Sequence, residues 1–160
     1  MIKQFSKELT YAPYDGTSDV SFNIAHYNSV VSQYKDYTSE EHAIEVVNNF
    51  LPNKEVLSEA KNSLAAYLNG RVIGLITVDA FRNTEYLVSR LDVLPEFRRE
   101  GVGSRLLKYA TEGKIPCGVY VSVYRKEAQE FYLKNGFVLS EETMLNLYGL
   151  EMDFVFMQRM

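Results

Sequence analysis

The sequence predicts a mixed α/β fold, and three observations carry that expectation. The chain has 160 residues, the size of one domain, and is 46% hydrophobic and 24% charged. That is an ordinary globular composition with enough apolar surface for a core. Up to about residue 62 the apolar residues recur at helical spacing. From residue 63 onward strand-like runs alternate with helical ones, as in a mixed sheet covered by helices.

The elements follow in chain order. The first 19 residues, interrupted by Pro13 and Gly16, suggest only a short strand at Ile2–Phe5. Val20–Tyr34 places Phe22, Ala25 or His26, Val30 and Tyr34 at helical intervals. Thr38-Ser39-Glu40-Glu41 reads as a helix start. A hydroxyl there accepts from an orphan backbone N–H, and carboxylates favour the positive end of the helix. Ala43, Ile44, Val46, Val47 and Phe50 would form its apolar face, Pro52 ends it, and Lys54–Asn62 fit a further short helix. Leu64–Leu68, Asn69-Gly70 and Val72–Val78 read as a hairpin, because Asn-Gly accepts the positive φ of a two-residue turn. Tyr86–Val93 is the next strand, stopped by Pro95. Gly101–Glu112 is a helix with Val102, Leu106 and Ala110 on one face and Gly113 behind it. Val119–Tyr124 is a strand, and Lys126–Asn135 is a helix closed by Gly136. Phe137–Leu139 and Met152–Met157 are the closing strands.

Composition narrows the chemistry. The single cysteine, Cys117, excludes an intrachain disulfide framework and a thiolate zinc cluster. Lying between Pro116 and Gly118, with no base assigned to it, it reads as an incidental thiol. The two histidines, His26 and His42, leave little for a multi-histidine site, so no metal is expected. No apolar run approaches the ~18–20 residues of a membrane span. Met1–Phe5 lacks the apolar core of a signal peptide, and a cytoplasmic setting without a membrane partner is expected.

The net charge of −4 is unevenly spread: residues 1–62 carry five Lys against nine Asp/Glu, and residues 63–160 carry twelve of each sign. Phosphate backbones need a basic surface, so a nucleic-acid partner is not expected. The acidic excess reads either as a solvated helical surface or as a rim that attracts a cationic partner.

The segment Leu91-Asp92-Val93-Leu94-Pro95-Glu96-Phe97-Arg98-Arg99-Glu100-Gly101-Val102-Gly103-Ser104 carries the most chemistry. It is a strand, a short connection, two glycines and a helix start. The first N–H groups of a helix have no intrahelical acceptor, and the helix dipole adds positive charge there. Glycines let a ligand approach the backbone. Such a start cradles a phosphate or pyrophosphate, and Arg98 and Arg99 can add charge-assisted hydrogen bonds. The plainer reading is a tight turn into a helix. A dinucleotide fingerprint is excluded because its third glycine position is Leu106, and no Gly-Lys-Ser/Thr of a P-loop follows Gly101.

Arg98-x-x-Gly101-x-Gly103 resembles the acyl-CoA-binding motif, Arg/Gln-x-x-Gly-x-Gly/Ala, of the GNAT superfamily of N-acetyltransferases. Leu91-x-Val93-x-Pro95 fits that family's fourth strand, and Ala128-x-x-Phe131-Tyr132-x-x-x-Gly136-Phe137 resembles its second signature, on the helix after the fifth strand. The resemblance covers roughly residues 63–160 and leaves residues 1–62 as a variable helical region on the acceptor side.

The resemblance implies a mostly antiparallel mixed sheet of about six to seven strands, flanked by helices and splayed between strands four and five. It implies acetyl-CoA as co-substrate, with pantetheine on the backbone of Leu91 and Val93. The pyrophosphate would lie on the loop Arg98, Arg99, Glu100, Gly101, Val102, Gly103 and Ser104, and an N–H near Val93 would polarise the thioester carbonyl. Tyr132 matches the family's general acid: a phenol with an ordinary pKa near ~10 is protonated at neutral pH and can protonate a thiolate. The base is less legible. The family's glutamate position is Leu87, so Glu85, two residues earlier on the same strand face, is the candidate, with a water chain or Asp79 as equals. Arg125 stands where the family often has a cofactor-contacting Asn, and reads either as a CoA-phosphate ligand or as a helix-start residue. The function implied is acetyl transfer to a small-molecule or peptide amine, with a homodimer admitted. Because no base is fixed, an acyl-CoA-sensing module without turnover stays open.

Overall fold

The computed structural model describes residues 8–16, 19–50 and 63–160. The expected strand at Ile2–Phe5 and helix at Lys54–Asn62 lie outside them. Seven strands form one sheet: β1 (Leu9–Pro13), β2 (Ser63–Leu68), β3 (Arg71–Phe81), β4 (Glu85–Val93), β5 (Cys117–Ser122), β6 (Val138–Leu147) and β7 (Leu150–Arg159), in the order β1-β2-β3-β4-β5-β7-β6. Every neighbouring pair is antiparallel except β4 and β5.

Among the described residues four α-helices cover the sheet: α1 (Val20–Lys35), α2 (Glu40–Phe50), α3 (Val102–Ala110) and α4 (Lys126–Lys134). Asp19 Oδ1 caps α1 by accepting from Phe22 N at 3.1 Å, and Ser39 Oγ accepts from His42 N at 3.2 Å to start α2. The β2–β3 turn is Asn69-Gly70, both at positive φ (52° and 81°), as a two-residue hairpin needs.

The alternation of side chains along β7 divides the core. Met152 and Phe154 pack with Val31, Tyr34, Ala43, Val46 and Val47 of α1 and α2. Val155 and Met157 pack into the larger cluster with Leu106 and Leu107 of α3 and Tyr132 of α4. Helices α1 and α2 therefore cover one face and α3 and α4 the other. Gly74 of β3 lets α3 come close: a Cβ there would stand 2.9 Å from Leu106 Cδ1 and 3.2 Å from Val102 Cγ1.

Three expectations need correction. The first 19 residues hold β1, paired along its length with β2, in a stretch where Pro13 and Gly16 obscured the strand. The strand expected at Phe137–Leu139 is the ten-residue β6, and β7 extends beyond Met152–Met157 at both ends. At the sheet edge β6 has mostly exposed side chains, Glu141 and Glu142 among them, so no apolar alternation marks it. On α2, Ile44 is exposed rather than part of the buried face. Among the described residues no helix is long and apolar enough to cross a membrane.

Candidate active site

The site begins with a break in the sheet. β4 and β5 pair in only two positions, Tyr86 with Cys117 and Leu87 with Gly118. Beyond Leu87 the strands part, each keeping its other neighbour: β4 stays on β3 through Val93, and β5 stays on β7 through Ser122. A cavity of about 470 Å³ occupies the gap, within the range of small-molecule sites.

The register fixes which residues face which side. Asp92 and Arg90 lie opposite Leu75 and Thr77, while Val93 and Leu91 lie opposite Gly74 and Ile76. Gly74 faces α3, so Val93 and Leu91 turn their side chains toward α3, and Arg90 and Asp92 turn theirs toward α1. Ser89 is the extra residue of a bulge between these pairs, and its Oγ lies 2.6 Å from Asp79 Oδ2. Along β5, Tyr120 and Ser122 share the α1 face, and Val119 and Val121 the other. The cavity is lined from both faces: by His26, Ser29 and Gln33 of α1 with Arg90, Asp92, Ser122 and Arg125, and by Leu91, Val119, Val121, Ala128 and Tyr132. Side chains from both faces of the sheet therefore meet around this gap.

The open edge of β4 carries free backbone groups. Leu94 N–H donates to Ile73 O of β3 at 2.9 Å, so the alternation of an antiparallel ladder turns the groups of Val93 and Leu91 away from β3, toward the gap. Arg98 Nε donates to Val93 O at 3.2 Å and folds the loop against the strand end. The loop then turns sharply: Arg99 (φ 65°) and Gly101 (φ 83°) are left-handed, and Gly101 opens α3 with no side chain capping it. The first N–H groups of α3 are therefore left for a ligand or water.

The loop residues divide by task. Val102 is buried and packs toward Gly74, so only its backbone can serve a ligand. Gly103 faces α4, where an added Cβ would meet the Phe131 ring at 3.4 Å. Ser104 Oγ accepts from Asn135 Nδ2 at 3.3 Å. Arg99 pairs with Glu127 at 3.0 Å in full exposure, and Arg98, Glu100 and Gly101 are exposed as well.

Tyr132 is 6% exposed and reaches the cavity from α4, its ring held between Phe131 and Phe137 at centroid distances of 5.1 and 5.3 Å. Burial pushes its hydroxyl pKa up, and the neighbouring Asp92 and Cys117 add to the rise. Cys117 is itself fully buried, its thiol pKa raised by the same cause, which makes it inert.

Two expected positions fall elsewhere. Glu85 stands at the start of β4 opposite Phe81, before the strands part, and does not line the cavity. Its strand face is right, but the Ser89 bulge and the closed end of the β4–β5 pair separate it from the gap. Arg125 lines the cavity on the α1 side, away from the loop 98–104: its Nε lies 3.0 Å from Asp36 Oδ2, and its Nη2 donates to Ser32 Oγ at 3.2 Å. It ties the start of α4 to the end of α1.

The residue pair that sequence reasoning missed is His26 and Asp92, with Nδ1 and Oδ2 2.7 Å apart on the cavity wall. The signal was present in two places: a histidine on the apolar face of α1 and a carboxylate inside an apolar strand. Among the described residues no cluster of three or more His, Cys, Asp or Glu could hold a metal ion.

Comparison with known proteins agrees with this fold. The acetyltransferase (GNAT) domain family matches residues 59–139. Among solved structures, the PaiA N-acetyltransferase of Thermoplasma acidophilum, in complex with coenzyme A, superposes with a TM-score of 0.72 at 20% identity, over 96% of this chain and 99% of that one. YjaB of Escherichia coli, in its apo form, gives 0.71 at 16% identity over 94% and 97%. The yncA protein of Salmonella typhimurium, with acetyl-CoA, gives 0.65 at 17% identity over 94% and 92%. No curated protein sequence matches significantly.

Proposed function

The chain belongs to the GNAT acetyltransferase family, and on that premise we propose that it carries acetyl from acetyl-CoA directly to a primary amine within a ternary complex. The observation that supports this best is the gap between β4 and β5, lined from both faces of the sheet, where a thioester and an amine could meet without a covalent enzyme intermediate.

The residues fit the donor. The Val93 N–H and the free edge at Leu91 can pair with pantetheine amides, Val93 O being held by Arg98, and the uncapped start of α3 can take the pyrophosphate. The loop around Arg98 and Gly101 lies at the end of the same strand, so one extended ligand can reach both. Residues 63–160 would form the donor half, and α1 would close the acceptor side. The acidic residues Glu40, Glu41 and Glu45 of α2 are exposed and do not line the cavity, whose wall carries Arg90 and Arg125 beside Asp92.

Transfer then follows from position. An amine entering past α1 attacks the thioester carbonyl in the gap, while a backbone N–H near Val93 polarises its oxygen. Tyr132, kept neutral by burial, donates its proton to the leaving sulfur.

Calorimetry with CoA, followed by a thiol-release screen of amines with acetyl-CoA, tests the proposal. CoA binding together with amine-dependent thiol release supports it. CoA binding with no release from any small amine, polyamine, amino acid or peptide favours an acyl-CoA-sensing module, and absence of CoA binding removes the donor assignment.

A further inference from the structure

We propose that His26, oriented by Asp92, takes the proton from the acceptor amine. The inference rests on the acetyltransferase reading above and names the base which that reading leaves open. His26 is 8% exposed, on the face of α1 toward the gap, and lines both the main cavity and a small adjoining recess with Asp92, Val93 and Arg98. Its Nδ1 lies 2.7 Å from Asp92 Oδ2. Both atoms are buried, and neither makes a hydrogen bond in its present orientation, so a small turn of the ring that aims an Nδ1 proton at Oδ2 satisfies both and leaves the Nε2 lone pair as the basic site. Asp92 is the positioning residue: it holds the ring and stabilises the imidazolium that forms.

The two carboxylates that the sequence offers as bases do not line the cavity. Asp79 is bonded by Ser89 Oγ, and Glu85 lies outside the gap. His26 enters from the acceptor face, and Tyr132 from the opposite face. An amine held between them loses its proton on one side while the sulfur gains one on the other.

The step balances. The amine nitrogen attacks the carbonyl carbon, the C–N bond forms and the C–S bond breaks. One nitrogen proton passes to Nε2 of His26, and the Tyr132 hydroxyl proton passes to the thiolate. The imidazolium then loses its proton and the phenolate regains one, through solvent. The charged and titratable groups that line these cavities with His26 are Asp92 and Arg90 from β4, Arg98 from the loop, Arg125 just before α4 and Tyr132 of α4.

Two measurements test the proposal. The first needs no acceptor. The chain has only two histidines, so a His42→Gln variant isolates the ring-nitrogen NMR signals of His26 in the ligand-free protein. Neutral His26 protonated at Nδ1 is the expected result, shifted toward a tautomer mixture by Asp92→Asn, and a ring protonated at Nε2 overturns the proposal. The second uses the best amine from the thiol-release screen. His26→Gln should lower kcat about 100-fold, move the ascending limb of kcat against pH to the pKa of that amine, and leave CoA affinity within about twofold. Retention of kcat within threefold with an unmoved limb overturns the proposal even when CoA binds and the wild type turns over. Loss of CoA binding in the wild type instead defeats the acetyltransferase reading and leaves the tautomer result to decide the geometry.

Discussion

Gly103 of α3 faces Phe131 of α4, with room between them for a Cβ at 3.4 Å from the ring and little more. The glycine that looks like an open door for a phosphate is also where two helices close on each other. Its two roles separate by substitution. Gly103→Ala should fold and bind CoA within about threefold of wild type, because that contact is ordinary van der Waals distance. Gly103→Glu should weaken CoA binding by at least ~100-fold, since its carboxylate is forced past Phe131 toward the helix start and repels phosphate there. Calorimetry decides, and full affinity in the glutamate variant would remove the helix start as the phosphate site.

Tyr132 sits deep between two aromatic rings, and its environment sets the sign of a pH effect. Its pKa is raised in the fold by burial first, then by Asp92 and Cys117. A raised folded pKa favours the protonated side chain, so this stabilisation is complete below the unfolded value near ~10 and is lost as pH climbs above it. Tyr132→Phe should therefore lower kcat about 100-fold while sparing CoA affinity. It should also soften the alkaline loss of stability, read as a smaller drop in melting temperature above pH 10. Equal turnover would take the acid role from Tyr132.

Packing between α3 and the sheet gives a test independent of catalysis. Leu106 is fully buried and lies where Gly74 leaves space for it. Leu106→Ala should destabilise the fold by about 2–5 kcal/mol, through lost transfer energy and a residual cavity. Gly118 of β5 faces the buried ring of Phe156, and Gly118→Ala should cost about 1–3 kcal/mol by overpacking. Denaturant titration measures both, and a neutral result at either position would contradict the packing described.

The loop and the two signature motifs were legible because local chemistry demands them: Gly101 sits at φ 83°, and only a residue tolerant of that angle can open α3 there. The helix Val20–Lys35 and the Asn69-Gly70 hairpin were legible for the same reason, being set by short-range periodicity and turn geometry. β6 was not, because an edge strand with solvent on its side chains has no apolar alternation to read. The His26–Asp92 pair was not either. Its partners are 66 positions apart, and only the parting of β4 from β5 turns a histidine on an apolar helix face into a group on a cavity wall. Glu85 shows the converse: the right residue type and strand face, but on the wrong side of a bulge.

Arg125 joins the start of α4 to α1, through Asp36 and Ser32 at the end of α1. Both members of the ion pair are about a third exposed, so the pair itself contributes under ~1 kcal/mol. Its consequence is positional: it sets how closely the end of α1 stands against the start of α4. Arg125→Ala should change the melting temperature by only a few degrees, raise the KM for the amine about tenfold, equivalent to ~1.4 kcal/mol, and leave CoA affinity unchanged. A loss of CoA affinity with an unchanged amine KM would instead assign Arg125 to the cofactor.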